Sequence, residues 1–236
     1  RAAIATRALG VGAYCVHDRG AIMAHSRGRT GDGRVKPDLG APTSVYTAGN
    51  RSDQQVEQPF GGTSGATPFA AAAALYLKNW MSAGGQMSVF PGEVYAMMLA
   101  CGDEPRVDER KGTGLVVLPS GGTAWWGRAI VGARQAVTIP LEPPRASAGF
   151  EVALWWPEYG RNGAPPAPRE RATLALQVAS PSGRVATSAD PGSVFQRVSL
   201  ADPPKSNGRW TVTIAGESLP RGAREVYWAA WARPSP

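Results

Sequence analysis

The spacing of apolar residues changes once along this chain, and that change limits the folds open to it. Residues 69–77 read Phe-Ala-Ala-Ala-Ala-Ala-Leu-Tyr-Leu, nearly pure helix former, which predicts a helix over Ser64–Met81. From about Thr123 the period falls to two. Val137, Ile139 and Leu141 share a face, as do Phe150, Val152 and Leu154; Leu174, Leu176 and Val178; Trp210, Val212 and Ile214; and Val226, Trp228 and Ala230. Five such runs, separated by Pro, Gly and Ser turns, predict a β-sandwich of roughly 110 residues, the size of one domain. The expected architecture is therefore an α/β unit over residues 1–121 followed by an all-β sandwich over residues 122–236.

Within the first unit, Ile4–Val16 reads as a strand, Ala24–Gly40 as mostly loop and Ser44–Ala48 as a short strand. Gly84-Gly85 would stop the first helix. Pro91–Cys101 reads as a second helix, with Pro91 near its start and Gly102 at its end, and its Met97, Met98 and Leu99 as packing residues. Asp103–Lys111 is a solvated loop. The Gly112-Thr113-Gly114 that follows leads into a strand rather than a helix, so it does not read as a phosphate cradle.

The chemistry is concentrated in Gly62-Thr63-Ser64-Gly65-Ala66-Thr67-Pro68. Glycines at 61 and 62 let backbone approach a substrate, and Pro68 suits a first helical turn. Ser64 would then sit at a loop-to-helix junction, where unbonded N–H groups and the positive end of the helix dipole favour a developing oxyanion. A purely structural alternative makes the serine an N-cap ahead of a core helix.

That segment resembles the nucleophile motif of the subtilisin-like serine peptidases (subtilases), Gly-Thr-Ser-x-Ala-x-Pro before an Ala-rich helix. Gly10-Val11-Gly12-Ala13 is similar to the family's Val-Gly-Ala strand end, and Ser26-Arg27-Gly28 with Asp32–Pro42 resembles the stretch that family carries before its nucleophile. Gly112–Val116 resembles its closing strand. Ser180-Pro181-Ser182-Gly183 and Gly208-Arg209-Trp210 are similar to the jelly-roll-like domain appended to many subtilases. The resemblance implies a serine endopeptidase acting through an acyl-enzyme: Ser64 as nucleophile, with the backbone of Ser64, Thr63 and Gly62 lining the oxyanion and substrate site. Three departures stand out. Gly65 replaces the usual Met after the serine, Phe69-Ala70-Ala71-Ala72 replaces His-Val-Ala-Gly, and Thr43 replaces the glycine after Ala41-Pro42.

A nucleophilic serine needs an imidazole and a carboxylate to orient it. The chain has two histidines, neither in the family's His-Gly-Thr context, and the resemblance places the triad Asp, the triad His and the oxyanion Asn upstream of this sequence. The expected partners are accordingly an N-terminal portion of the same precursor carrying those residues, and a protein or peptide substrate; the chain alone should be inactive. Asp18, His25 and Ser64 follow the order Asp, His, Ser, but only seven residues part the first two. His17–Gly20 reads as a polar turn, and Asn50 in Ala48-Gly49-Asn50 as a turn residue. A Gly-x-Ser-x-Gly nucleophile elbow is nearly met by Gly62–Ala66, but that fold places its histidine after the serine and none follows Ser64, so it falls well below the subtilase reading. A His25, Asp38, Ser64 order is too short for two barrels. An alternative of another class is a noncatalytic interaction protein that keeps the scaffold and binds partners through the sandwich.

The net charge of +7 comes from arginine, since only four of the 25 basic residues are lysine. They are scattered, without interleaved aromatics, which points to a basic surface rather than a nucleic-acid partner. No apolar stretch approaches the length of a membrane helix, and no membrane partner is expected. Cys15 and Cys101 suit buried free thiols, and whether they pair stays open. No cofactor is evident; calcium is implied only by the resemblance, and Asp32 and Asp38 are too isolated to form a site. The resemblance implies a secreted or periplasmic protein, with the cytoplasm as the alternative. Trp155-Trp156 and Trp228–Trp231 read as core or interface, and Glu158–Arg169 as an extended surface hairpin suited to cleavage or docking.

Overall fold

A computed structural model describes residues 7–18, 25–49, 58–83, 88–144, 147–158, 167–200 and 208–234. The start of the expected Ile4–Val16 strand, Asn50, the Gly84-Gly85 stop and most of the 158–169 loop lie outside these. The described chain has more strand than helix, with two α-helices.

Strand β1 (Val11–Cys15) pairs in parallel with β4 (Leu39–Thr43), Val11 opposite Leu39 and Cys15 opposite Thr43. Leu115 adds a parallel bridge to Gly40. The connection between them, expected as loop, carries the small antiparallel pair β2 (Gly28–Arg29) and β3 (Val35–Lys36). A second pair, β5 (Val45–Thr47) and β6 (Gln58–Phe60), delivers the chain to helix α1 (Gly62–Ala83). This helix lays Ala66, Ala70, Ala73, Leu77 and Met81 against the sheet at three- and four-residue intervals, an amphipathic stripe. It starts two residues earlier than the serine, so Pro68 is its seventh residue rather than part of its first turn. The cause is Gly62, whose φ of +65° brings the chain into the helix from the left-handed region that glycine tolerates.

Helix α2 (Pro91–Ala100) begins as expected. Pro91 is its first residue, and the Glu93 carboxylate accepts the Phe90 N–H at 2.8 Å. Met97, Met98 and Leu99 are buried. The helix is apolar almost all round because both sides are covered, one by α1 and the other by a sheet of the C-terminal half.

That half contains two four-stranded antiparallel sheets. One runs β11 (Val185–Ser188), β10 (Thr173–Ala179), β13 (Trp210–Ser218), β8 (Ala136–Leu141). The other runs β12 (Phe195–Leu200), β9 (Ser147–Trp155), β14 (Arg224–Pro234), β7 (Thr123–Val131). All five alternating runs face one shared apolar core between the sheets. In β9 and β14 the alternate residues are buried as well: Ala153, Trp155, Ala229 and Trp231 join the core beneath α2. Tyr95 of α2 stacks on Trp155 with ring centres 4.5 Å apart. The tryptophan pairs are therefore core on both faces, in three layers of helices, sheet and sheet.

One buried ion pair spans this seam. Arg197 on β12 meets Glu151 on β9 at 2.9 Å and donates to the carbonyl of Gly102, at 2.6 Å, and to that of Glu104, just past the α2 C-terminus. Glu151 also accepts from Ser199 and Arg233, each at 3.0 Å. Burial pushes the Glu151 carboxyl above its ordinary value and the Arg197 guanidinium below its own, and the opposite charge of each works against that.

Candidate functional site

The nucleophile motif forms the first turns of α1. The first amide the helix consumes is that of Gly65, which donates to the Gly61 carbonyl at 3.2 Å. The amides of Gly62, Thr63 and Ser64 precede it and have no acceptor within the helix. No acidic side chain occupies the first turn, so the positive end of the dipole is left for an incoming anion. Ser64 is exposed. It is the third helical residue, not the cap, which removes the N-cap explanation for its presence. Pro68 withholds the N–H that would have bonded the Ser64 carbonyl.

Beneath this turn lies the end of β4. Thr43 is fully buried, and its hydroxyl donates to the Gly62 carbonyl at 2.7 Å. Cys15 pairs in register with Thr43. The backbone of His17, then that of Asp18, holds its thiol below the ordinary value, against some desolvation. Both cysteines are free, and burial pushes the Cys101 thiol well up. Iodoacetamide at neutral pH should therefore alkylate Cys15 and spare Cys101 in the folded chain, as peptide mass mapping would show; modification at Cys101 first would contradict this.

The remaining candidates are not brought to Ser64. His25 lies against β1, its Nδ1 3.4 Å from the Ala13 N–H and its Nε2 3.4 Å from the Arg110 carbonyl. Asp18 sits in an exposed turn, so the Asp18, His25, Ser64 trio is not assembled. Asp38 is buried, accepting from Gly10 N–H at 2.6 Å, the Tyr95 hydroxyl at 3.0 Å and Lys36. It ties β1, β4 and α2 together. Asp32 is likewise engaged: desolvation raises its carboxyl, but Arg34, at 2.7 Å, and Thr30 outweigh that and hold it below its usual value. Carboxylates already matched to cationic side chains do not fit calcium, which needs several free oxygen ligands. Tyr95 and Arg197 carry no motif, and only their positions in the fold expose them. Thr43 had one signal, its departure from the expected glycine.

The family model described as the subtilase family (peptidase S8) matches residues 2–91. No curated protein matches. Among solved structures, a periplasmic inhibitor of g-type lysozyme from Aeromonas hydrophila is 14% identical, covering 49% of this chain and 91% of its own at a TM-score of 0.29. The Yersinia pseudotuberculosis-derived mitogen is 10% identical, covering 49% and 90% at 0.30. A Bacillus licheniformis lipase in propeptide form is 8% identical, covering 50% and 24% at 0.28. At those scores the likenesses carry no argument about this chain.

Proposed function

We propose, from the premise that residues 2–91 are subtilase-family sequence, that this chain is the C-terminal part of a serine endopeptidase domain, of the α/β class, with an appended jelly-roll-like sandwich beginning near residue 122. The observation that carries the reading is Ser64 itself: exposed, at the start of α1, with its own amide ahead of the first helical hydrogen bond. Ser64 Oγ attacks the scissile carbonyl, and the proton passes to a histidine of an N-terminal portion of the precursor. The Ser64 N–H donates to the oxyanion, with the backbone of Thr63 and Gly62 beside it. The histidine returns the proton to the leaving amine, and water then clears the ester.

What supports a partner polypeptide is apolar surface left on α1. Phe69, Leu75 and Tyr76 are 41%, 60% and 43% exposed, and large apolar side chains left at the surface mark places where another chain can pack. The substrate is a protein or peptide. Secretion or export to the periplasm is the localisation the family supports, with the cytoplasm as the alternative; no described helix is long and apolar enough to cross a membrane.

A fluorophosphonate probe tests the reading. In the full-length protein, with Asp and His supplied, labelling should fall on Ser64, while this chain alone should hydrolyse no peptide. Hydrolysis by the chain alone, lost on Ser64→Ala, would overturn the assignment of the base to another segment. The noncatalytic alternative, in which the scaffold binds partners through the sandwich, draws on the replacement of His-Val-Ala-Gly by Phe69-Ala70-Ala71-Ala72 after Pro68. Absence of labelling under activating conditions would select it.

A further inference from the structure

We propose that Thr43 and Gly65 are a size-matched pair that positions the nucleophile turn, and that Thr43 acts on Ser64 through it. The inference rests on the assignment of Ser64 as nucleophile. Taken singly, each residue departs from the subtilase pattern, which has glycine at the first position and a larger side chain at the second. In space they are one change. A Cβ placed on Gly65 would lie 2.6 Å from Thr43 Oγ1 and 3.4 Å from the Phe60 carbonyl oxygen. The Thr43 side chain therefore occupies the volume that a side chain after the serine would take, and Gly65 is the residue that leaves it free.

Thr43 does more than fill space. Its hydroxyl donates to the Gly62 carbonyl at 2.7 Å, which anchors the residue two before the serine to the end of the sheet. That anchor matters because Gly62 has φ +65°, a conformation glycine enters easily and also leaves easily. The strand end is shaped for the contact: the next residue, Ser44, holds φ +62°, uncommon for a residue with a side chain, and its Oγ lies 3.7 Å from where a Gly61 Cβ would be. Two sharp backbone turns thus bring β4 and the start of α1 together, and the Thr43 hydroxyl closes the gap between them. Ser64 inherits its position from that closure, since α1 runs without a break from Gly62 through the serine to Ala83.

The test is a set of variants in the full-length protein, read by fluorophosphonate labelling of Ser64 and by thermal unfolding. Thr43→Val keeps the shape and loses the donor; it should slow the maximal rate of labelling about ten- to a hundred-fold, the scale of a misplaced reacting group, with the probe concentration for half-maximal rate unchanged. Thr43→Ser, which keeps the hydroxyl, should recover most of that rate. Gly65→Ala should lower the unfolding temperature, and Thr43→Ala combined with Gly65→Ala should raise it back, because the new methyl takes the vacated space. Wild-type labelling by Thr43→Val, or additive losses in the Thr43→Ala, Gly65→Ala pair, would overturn the proposal. If the wild-type protein is not labelled at all, the peptidase reading fails, and the unfolding data then decide the pair by themselves.

Discussion

Ser64→Ala in the full-length protein is expected to abolish turnover while leaving the unfolding transition where it was. Loss of the nucleophile costs on the order of a million-fold in kcat for a serine peptidase, because the remaining groups have nothing to activate. The structural cost is close to zero for reasons local to the helix. Ser64 is exposed and is the third residue of α1, and alanine is at least as good a helix former there. A capping serine would behave differently, losing about 1 kcal/mol on truncation. Enzyme assay and thermal denaturation of the same preparation separate the two. An unchanged kcat, or a clear drop in stability with activity retained, would return Ser64 to a structural role.

Much of this arrangement was written in local pattern. The five alternating runs all point into one core because side chains on a strand alternate faces, and that rule needs no tertiary information. The helix carrying Ser64 is legible in its alanines, but its start at Gly62 is not, because that entry depends on the positive φ the glycine adopts. Other features had no local signature. Strand β12 reads Phe-Gln-Arg-Val-Ser-Leu and is buried for most of its length despite its polar residues, since Gln196 and Arg197 find partners on other elements. Strand β11 is only four residues long, too short to display a period. The tryptophans of β9 and β14 alternate with small apolar residues on a strand covered on both faces, a burial that only the docking of α2 creates. Thr43 and Gly65 were each readable as departures, but their reciprocity is a matter of 2.6 Å across 22 positions of sequence.

Arg197→Met is expected to destabilise the protein by about 3–5 kcal/mol, a large part of the stability of an ordinary domain. Glu151 is 2% exposed and would keep Arg233 and Ser199 as partners. It would lose the guanidinium that is buried with it, and the carbonyls of Gly102 and Glu104 would lose their donor. Arg197 also places a positive charge at the C-terminal end of α2, where the helix dipole favours one. The effect should therefore concentrate where α2 meets the sheet, with hydrogen exchange accelerating first near Cys101. A second substitution distinguishes the charge from its hydrogen bonds. Adding Glu151→Leu removes the orphaned carboxylate, and a well-packed apolar pair is often as stable as the ion pair it replaces. Recovery in Arg197→Met/Glu151→Leu should nonetheless stop short of wild type, because no apolar side chain can satisfy the two carbonyls. Urea titration of the single and double variants measures both quantities. Full recovery would mean that the carbonyls find water and that α2 is held by its apolar contacts alone, while no recovery would mean that Arg197 acts through the helix terminus rather than through Glu151.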